Sequence, residues 1–133
     1  MGLKNMWKVM IVDDEKLICK LVQALVEWDK LGMQMAAQAE NAIQALDMLQ
    51  QYRPDILITD IRMPGMDGLE LIRNAKKICP ELEIIIISGY AHFEYARNAL
   101  SLGVGNYLLK PIKQEELNET LRKIGERLEE KKN

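Results

Sequence analysis

Cysteine and histidine are scarce in this chain. Its 133 residues include two cysteines, Cys19 and Cys79, and one histidine, His92. Each cysteine sits in an apolar helical pattern, which points to two buried free thiols in a reducing, cytosolic setting rather than a disulfide. One histidine and no His/Cys cluster leave little room for a zinc site. Charge of one sign is missing too. A formal net charge of −2 gives no global electrostatic case for nucleic-acid binding. No apolar run approaches the roughly 20 residues needed to span a bilayer, so no membrane partner is expected. No signal-peptide pattern opens the chain. Met1-Gly2 does not continue into a myristoylation motif, because position 6 is Met. The expected location is cytoplasmic.

What is present is an ordinary globular composition, 48% apolar and 29% charged, at a length that fits one domain with a real core. Lys8-Val9-Met10-Ile11-Val12 is a short apolar run that stops at Asp13-Asp14, which reads as a buried strand. Leu17, Leu21, Leu25 and Trp28 then recur at helical spacing up to Gly32. Met33 to Ala39 is a weaker strand. Asn41 is placed to cap a helix with Ala42, Leu46 and Leu49 on its apolar face, and Arg53-Pro54-Asp55 breaks it. Ile56 to Thr59 is a third strand, stopping at Asp60. A Pro/Gly-punctuated loop, Met63 to Gly68, precedes a helix over Leu69 to Ile78. Ile84 to Ile87 is a fourth strand, stopping at Ser88-Gly89. A helix from Phe93 to Leu102 closes at Gly103. Asn106 to Leu109 is a fifth strand, stopping at Lys110-Pro111. Leu117, Leu121, Ile124 and Leu128 place a last amphipathic helix.

Strand and helix thus alternate five times. Near-continuous aliphatic strands between helices mean an α/β fold with a parallel sheet covered on both faces. Right-handed crossovers leave few topologies. In such sheets, sites lie beyond the carboxyl ends of the strands. Those ends carry Asp13-Asp14, Asp60, Ser88-Gly89 and Lys110-Pro111. Three carboxylates brought together repel one another and raise each other's pKa unless a cation sits among them. Magnesium suits such a set, because it takes oxygen ligands and commonly uses one or two carboxylates plus phosphate oxygens. A carboxylate beside magnesium is also a phosphoryl acceptor. Lys110 would neutralise a phosphoryl oxygen, Ser88 would donate to another, and Gly89 has no side chain to obstruct the group.

Each piece alone has a plainer reading. An Asp-Asp pair after a strand often just opens a helix. Asp60 could cap a loop, Ser-Gly is a common turn dipeptide, and Pro111 could simply open the next segment. The combination is harder to explain that way, since every polar strand end carries a complementary part.

The series Val12-Asp13-Asp14-Glu15, Ile58-Thr59-Asp60-Ile61-Arg62-Met63-Pro64-Gly65-Met66-Asp67-Gly68, Ser88-Gly89 and Tyr107-Leu108-Leu109-Lys110-Pro111 resembles the receiver-domain family of two-component response regulators. The resemblance runs from about Met6 to the last helix. It implies a flavodoxin-like, doubly wound, five-stranded parallel sheet of order 2-1-3-4-5 with five helices. It implies that Asp60 is the phosphoacceptor, not an enzyme's turnover nucleophile, and that a sensor histidine kinase is the usual donor. It implies Mg2+ held by Asp13, Asp14, Asp60 and the backbone carbonyl of Arg62. Lys110 would contact the phosphoryl group, with the Gly89 backbone facing it, and Ser88 and Tyr107 would be the switch hydroxyl and switch aromatic. Ser88-Gly89-Tyr90 with Phe93-Glu94-Tyr95-Ala96 further resembles receivers fused to AraC-type DNA-binding domains. The expected organisation is a leader or disordered N-terminus over 1–5, a receiver over 6–130, and the start of a linker or tail over 131–133. An output DNA-binding domain in a longer chain and a homodimer on activation complete the expected partners.

Three rival functions fit these residues less well. A magnesium-dependent aspartyl-phosphate phosphatase of the haloacid dehalogenase type wants a second Asp two residues after the nucleophile, and position 62 is Arg. A nucleotide-binding module wants a Gly-rich phosphate loop after the first strand, where this chain has Asp-Asp-Glu-Lys. A phosphorylation-independent interaction module would have no need of the full acidic and lysine set.

Overall fold

The computed structural model describes residues 6–89, 98 and 105–132. Its five strands are β1 (Trp7–Val12), β2 (Met33–Ala39), β3 (Ile56–Asp60), β4 (Glu83–Ser88) and β5 (Asn106–Leu109). They form one parallel sheet in the order β2-β1-β3-β4-β5, the doubly wound flavodoxin-like order the sequence implies. The helices are α1 (Lys16–Leu25), α2 (Trp28–Leu31), α3 (Ala42–Tyr52), α4 (Gly68–Ile78) and α5 (Gln114–Lys132). The helix expected over 93–102, with its stop at Gly103, lies outside the described residues.

The aliphatic runs are continuous because successive side chains feed two cores. Met10, Val12, Leu57, Ile84 and Ile86 pack with Ala45 and Leu49 of α3 and Leu71 and Ile72 of α4. Val9, Ile11, Ile56, Ile58, Ile85 and Ile87 pack with Cys19 and Val22 of α1 and Leu117, Leu121 and Ile124 of α5. The alternation is the period of two of a strand with both faces covered. Each fully buried Ile or Leu contributes about 1.5–3 kcal/mol, so these two layers dominate what holds the sheet and its carboxyl edge in place.

Local signals set most boundaries as expected. The Asn41 side chain accepts from the Gln44 N–H at 2.8 Å and caps α3, which ends at Arg53 in the left-handed region at φ 45°. Asp67 caps α4 in the same way, accepting from Glu70 N at 3.0 Å. All four residues predicted for the inner face of the last helix are buried. Acidic residues open that helix and lysines close it, as its dipole favours.

One expectation is corrected. The spacing of Leu17, Leu21, Leu25 and Trp28 predicts a single helix ending at Gly32. Instead α1 stops at Leu25, and Gly32 terminates the separate turn α2 at φ 69°. The buried face is Cys19, Val22 and Val26, while Leu17 is 77% and Leu21 40% exposed. Two stripes of helical spacing compete here, and the smaller side chains permit closer approach to the sheet. The break itself is stabilised by α5. Asn118 accepts from Glu27 N at 2.8 Å and donates to Leu25 O at 2.9 Å, so the groups freed by the interruption keep partners.

Candidate functional site

The parallel register gathers the polar strand ends. Val12 pairs with Thr59, Asp60 with Ile87, and Ser88 with Leu109. The residues just past β1, at the end of β3, at the end of β4 and just past β5 therefore meet along one edge. Carboxylate oxygens of Asp13, Asp14 and Asp60 all lie within 4.8 Å of one another, with Asp13 and Asp60 buried and Asp14 exposed. Lys110 Nζ sits 3.4 Å from Asp60 Oδ2, 3.7 Å from Glu15 Oε1 and 3.9 Å from Asp13 Oδ2.

Backbone donors orient the buried acids. Asp13 Oδ1 accepts from Glu15 N at 2.9 Å, and Asp60 Oδ1 accepts from Ile61 N at 2.7 Å. One oxygen of each carboxylate is thus held by the chain. The electrostatics are strained all the same. Burial pushes the Asp13 carboxyl up to about 6, with the Asp60 and Asp14 charges adding and the Glu15 N–H and Lys110 opposing. For Lys110, burial works against the charged form, but Asp60 and Asp13, then Glu15, outweigh it and hold the ammonium above its ordinary value.

These residues fit a small divalent cation. Each offers a hard oxygen donor, the set carries more negative charge than one lysine balances, and an exposed member leaves an approach from solvent. Asp13, Asp14 and Asp60 would hold it.

The remaining expected site residues fall around this centre. Ser88 is fully buried at the end of β4, and its backbone carbonyl accepts from Lys110 N at 2.8 Å. Among the described residues, a side chain at Gly89 would meet nothing within 4 Å. Arg62 lies two residues beyond β3 and is exposed. Tyr107 stands one step back on β5, opposite Ile86, and packs against the α3/α4 core with its hydroxyl buried. Strand alternation puts Ser88 on the same side of the sheet as Ile84, Ile86 and Tyr107.

Two participants were not singled out from the sequence. Glu15 reaches Lys110, although it enters the sequence only as the third of three acids. Gly68 lies so close under the end of β3 that its N–H donates to Ile61 O at 2.6 Å. The Pro/Gly-rich loop signalled a turn there, but nothing in it signalled contact with the backbone of Asp60.

A parallel 2-1-3-4-5 sheet with an acid cluster and a lysine at its carboxyl edge defines a receiver domain. Residues 9–122 match the family model described as the response regulator receiver domain, and the chain belongs to that family. It is similar to the transcriptional regulatory protein YesN of Bacillus subtilis strain 168, with 39% identity over 119 residues, covering 90% of this chain and 32% of that protein. Among solved structures it is similar to the REC domain of AraT, a response regulator from Geobacillus stearothermophilus. The TM-score is 0.92 at 38% identity, covering 96% of this chain and 99% of that one. It is also similar to a two-component transcriptional regulator AraC from Clostridium phytofermentans ISDg, with TM-score 0.86 and 34% identity over 93% of this chain and 96% of that one. The expected likeness to receivers of AraC-type regulators is borne out. The chain spans about a third to a half of the length of the curated relatives it matches. It is a receiver domain of two-component signalling, a class of phosphoacceptor domains that bind Mg2+ in an acidic pocket and are not enzymes in the ordinary sense. Among the described residues no helix is long and apolar enough to cross a membrane.

Proposed function

We propose that Asp60 accepts a phosphoryl group from a sensor histidine kinase, with Mg2+ held by Asp13, Asp14, Asp60 and the Arg62 carbonyl. The observation that carries this reading is the approach of Lys110 Nζ to Asp60 Oδ2 at 3.4 Å beside two further carboxylates. In the transfer, a carboxylate oxygen of Asp60 bonds to phosphorus as the bond from phosphorus to the donor's leaving atom breaks. The leaving group departs with that bond's electron pair and takes a proton from solvent or the kinase. Ile61 N–H holds one Asp60 oxygen and so orients the other. Lys110 would neutralise charge on the transferred group, and Gly89 has no side chain to obstruct it. A bound magnesium ion supplies charge neutralisation for the phosphoryl oxygens.

Phosphorylation adds up to about two negative charges and strong acceptor oxygens. Ser88 is the hydroxyl placed to respond, and Tyr107, on the same side of the sheet, is the aromatic that follows it. The two conformations exist beforehand and the phosphoryl group biases them. The receiver unit spans 6–130. In a longer cytoplasmic regulator it would act on a DNA-binding output domain, with homodimerisation on activation.

Backbone NMR tests the site. Adding Mg2+ should shift the amides of Asp13, Asp14 and Ile61. Beryllofluoride, a phosphoryl mimic, should then bind only with Mg2+ present and shift Ser88 and Tyr107 as well. Beryllofluoride binding that is indifferent to Mg2+, or shifts that stop at the loops around Asp60, would contradict the reading.

A further inference from the structure

Lys110 is shared among three carboxylates, and they are not equivalent. The side chains of Asp13 and Asp60 are 3% and 7% exposed, while that of Glu15 is 63% exposed. The first two belong to the proposed cation set. Glu15 does not; it opens α1 without a side-chain cap bond, so its carboxylate is not committed to the helix. Its backbone N–H is instead bonded to Asp13 Oδ1, which fixes Glu15 at the rim of the pocket. From there its carboxylate reaches Lys110 from the solvent side.

The geometry points to Glu15 as a positioning residue that restrains Lys110 in the resting protein and thereby slows phosphorylation of Asp60. This rests on the reading of Asp60 as phosphoacceptor. When the charge of Asp13 and Asp60 is taken up by a cation, Glu15 is left as the carboxylate partner of Lys110. An incoming phosphoryl group must then draw the ammonium away from Glu15. The same carboxylate repels the anionic donor as it approaches the rim. Both effects act in one direction, and both disappear when Glu15 is neutralised. Solvent exposure limits their size: an exposed pair is worth up to about 1 kcal/mol, so the change is up to about fivefold.

Three proteins separate the possibilities: wild type, Glu15→Gln and Glu15→Asp. Aspartate keeps the charge but is one methylene shorter, so it gives up the contact with Lys110. Two quantities are read at saturating Mg2+: the rate of phosphorylation by acetyl phosphate against donor concentration, and the equilibrium affinity for beryllofluoride. Glu15→Gln should phosphorylate faster by up to about fivefold, mainly through a lower half-saturating donor concentration, and should bind beryllofluoride more tightly by a similar factor. Glu15→Asp, which gives up the contact but keeps the repulsion, should fall between wild type and Glu15→Gln in beryllofluoride affinity. A Glu15→Gln variant no faster than wild type, or a Glu15→Asp variant indistinguishable from wild type, overturns the inference while leaving Asp60 phosphorylation intact. Wild type that takes no phosphoryl group at Asp60 is a different failure, that of the underlying function.

Discussion

Gly68 lies against the backbone of Asp60 so closely that a side chain has no room. A Cβ at position 68 would overlap the Asp60 carbonyl oxygen and stand 2.8 Å from the Ile61 Cα. Both are backbone atoms of the strand end that carries the proposed acceptor, so they cannot swing aside. Gly68→Ala should therefore displace the end of β3 or the start of α4 and break the bond from Gly68 N to Ile61 O. The expected cost is about 1–3 kcal/mol in chemical denaturation, with Mg2+ affinity lowered as Asp60 moves. A variant with wild-type stability and wild-type Mg2+ binding would show that the loop adapts freely.

Asp13 gives the cation-free protein a specific pH dependence. Its carboxyl titrates near 6 when folded, against 3.8 in the ordinary state, so the folded chain holds the proton more tightly than the unfolded one. The contribution of this group is therefore most favourable below 3.8 and is lost as pH rises through about 6. In the presence of a chelator, Asp13→Asn should be more stable than wild type at neutral pH by up to about 3 kcal/mol. The difference should shrink on acidification toward about pH 4. Mg2+ binding to wild type should weaken over the same acid range, because the ligand must be ionised. An Asp13→Asn variant less stable than wild type at neutral pH without cation would contradict the burial argument.

The strands were legible because β3 and β4 are built on the aliphatic runs Ile56-Leu57-Ile58 and Ile84-Ile85-Ile86-Ile87, and such short runs have few other uses between two helices. The site was legible for the same reason: each polar residue that interrupts such a run marks a strand end, and parallel strands place their ends together. The inner face of α1 was not legible. Leu17 and Leu21 share the helical spacing of Cys19 and Val22, and only contact with the sheet and α5 decides between them. Nor was Glu15, since its partner Lys110 is remote in sequence, or Gly68, since a close backbone approach leaves no compositional trace.

Asn118 is a buried polar residue with a structural task. It ties α5 to the break between α1 and α2 through Glu27 N and Leu25 O, with Gln114 donating to the same Leu25 carbonyl at 3.1 Å. Asn118→Leu leaves the Glu27 N–H without this partner and should cost about 1–3 kcal/mol. Protection from hydrogen exchange at Glu27 should fall first. Unchanged stability would mean that water replaces the amide without penalty.

Tyr107 carries the opposite imbalance. Its hydroxyl is buried with no hydrogen-bond partner among the described residues. Removing it should recover part of a desolvation cost of about 1–3 kcal/mol, so Tyr107→Phe should raise the denaturation midpoint without changing the slope. A lower midpoint would show that the phenol is bonded in the resting protein.

The proposed reaction places a phosphoryl group on Asp60 and requires a divalent cation. Intact-mass measurement after incubation with acetyl phosphate, with Mg2+ and with chelator, on wild type and Asp60→Asn, tests it most directly. One added phosphoryl group is expected on wild type with Mg2+, and none with chelator or on Asp60→Asn. An equal phosphoryl mass on Asp60→Asn, or on wild type without cation, would contradict it.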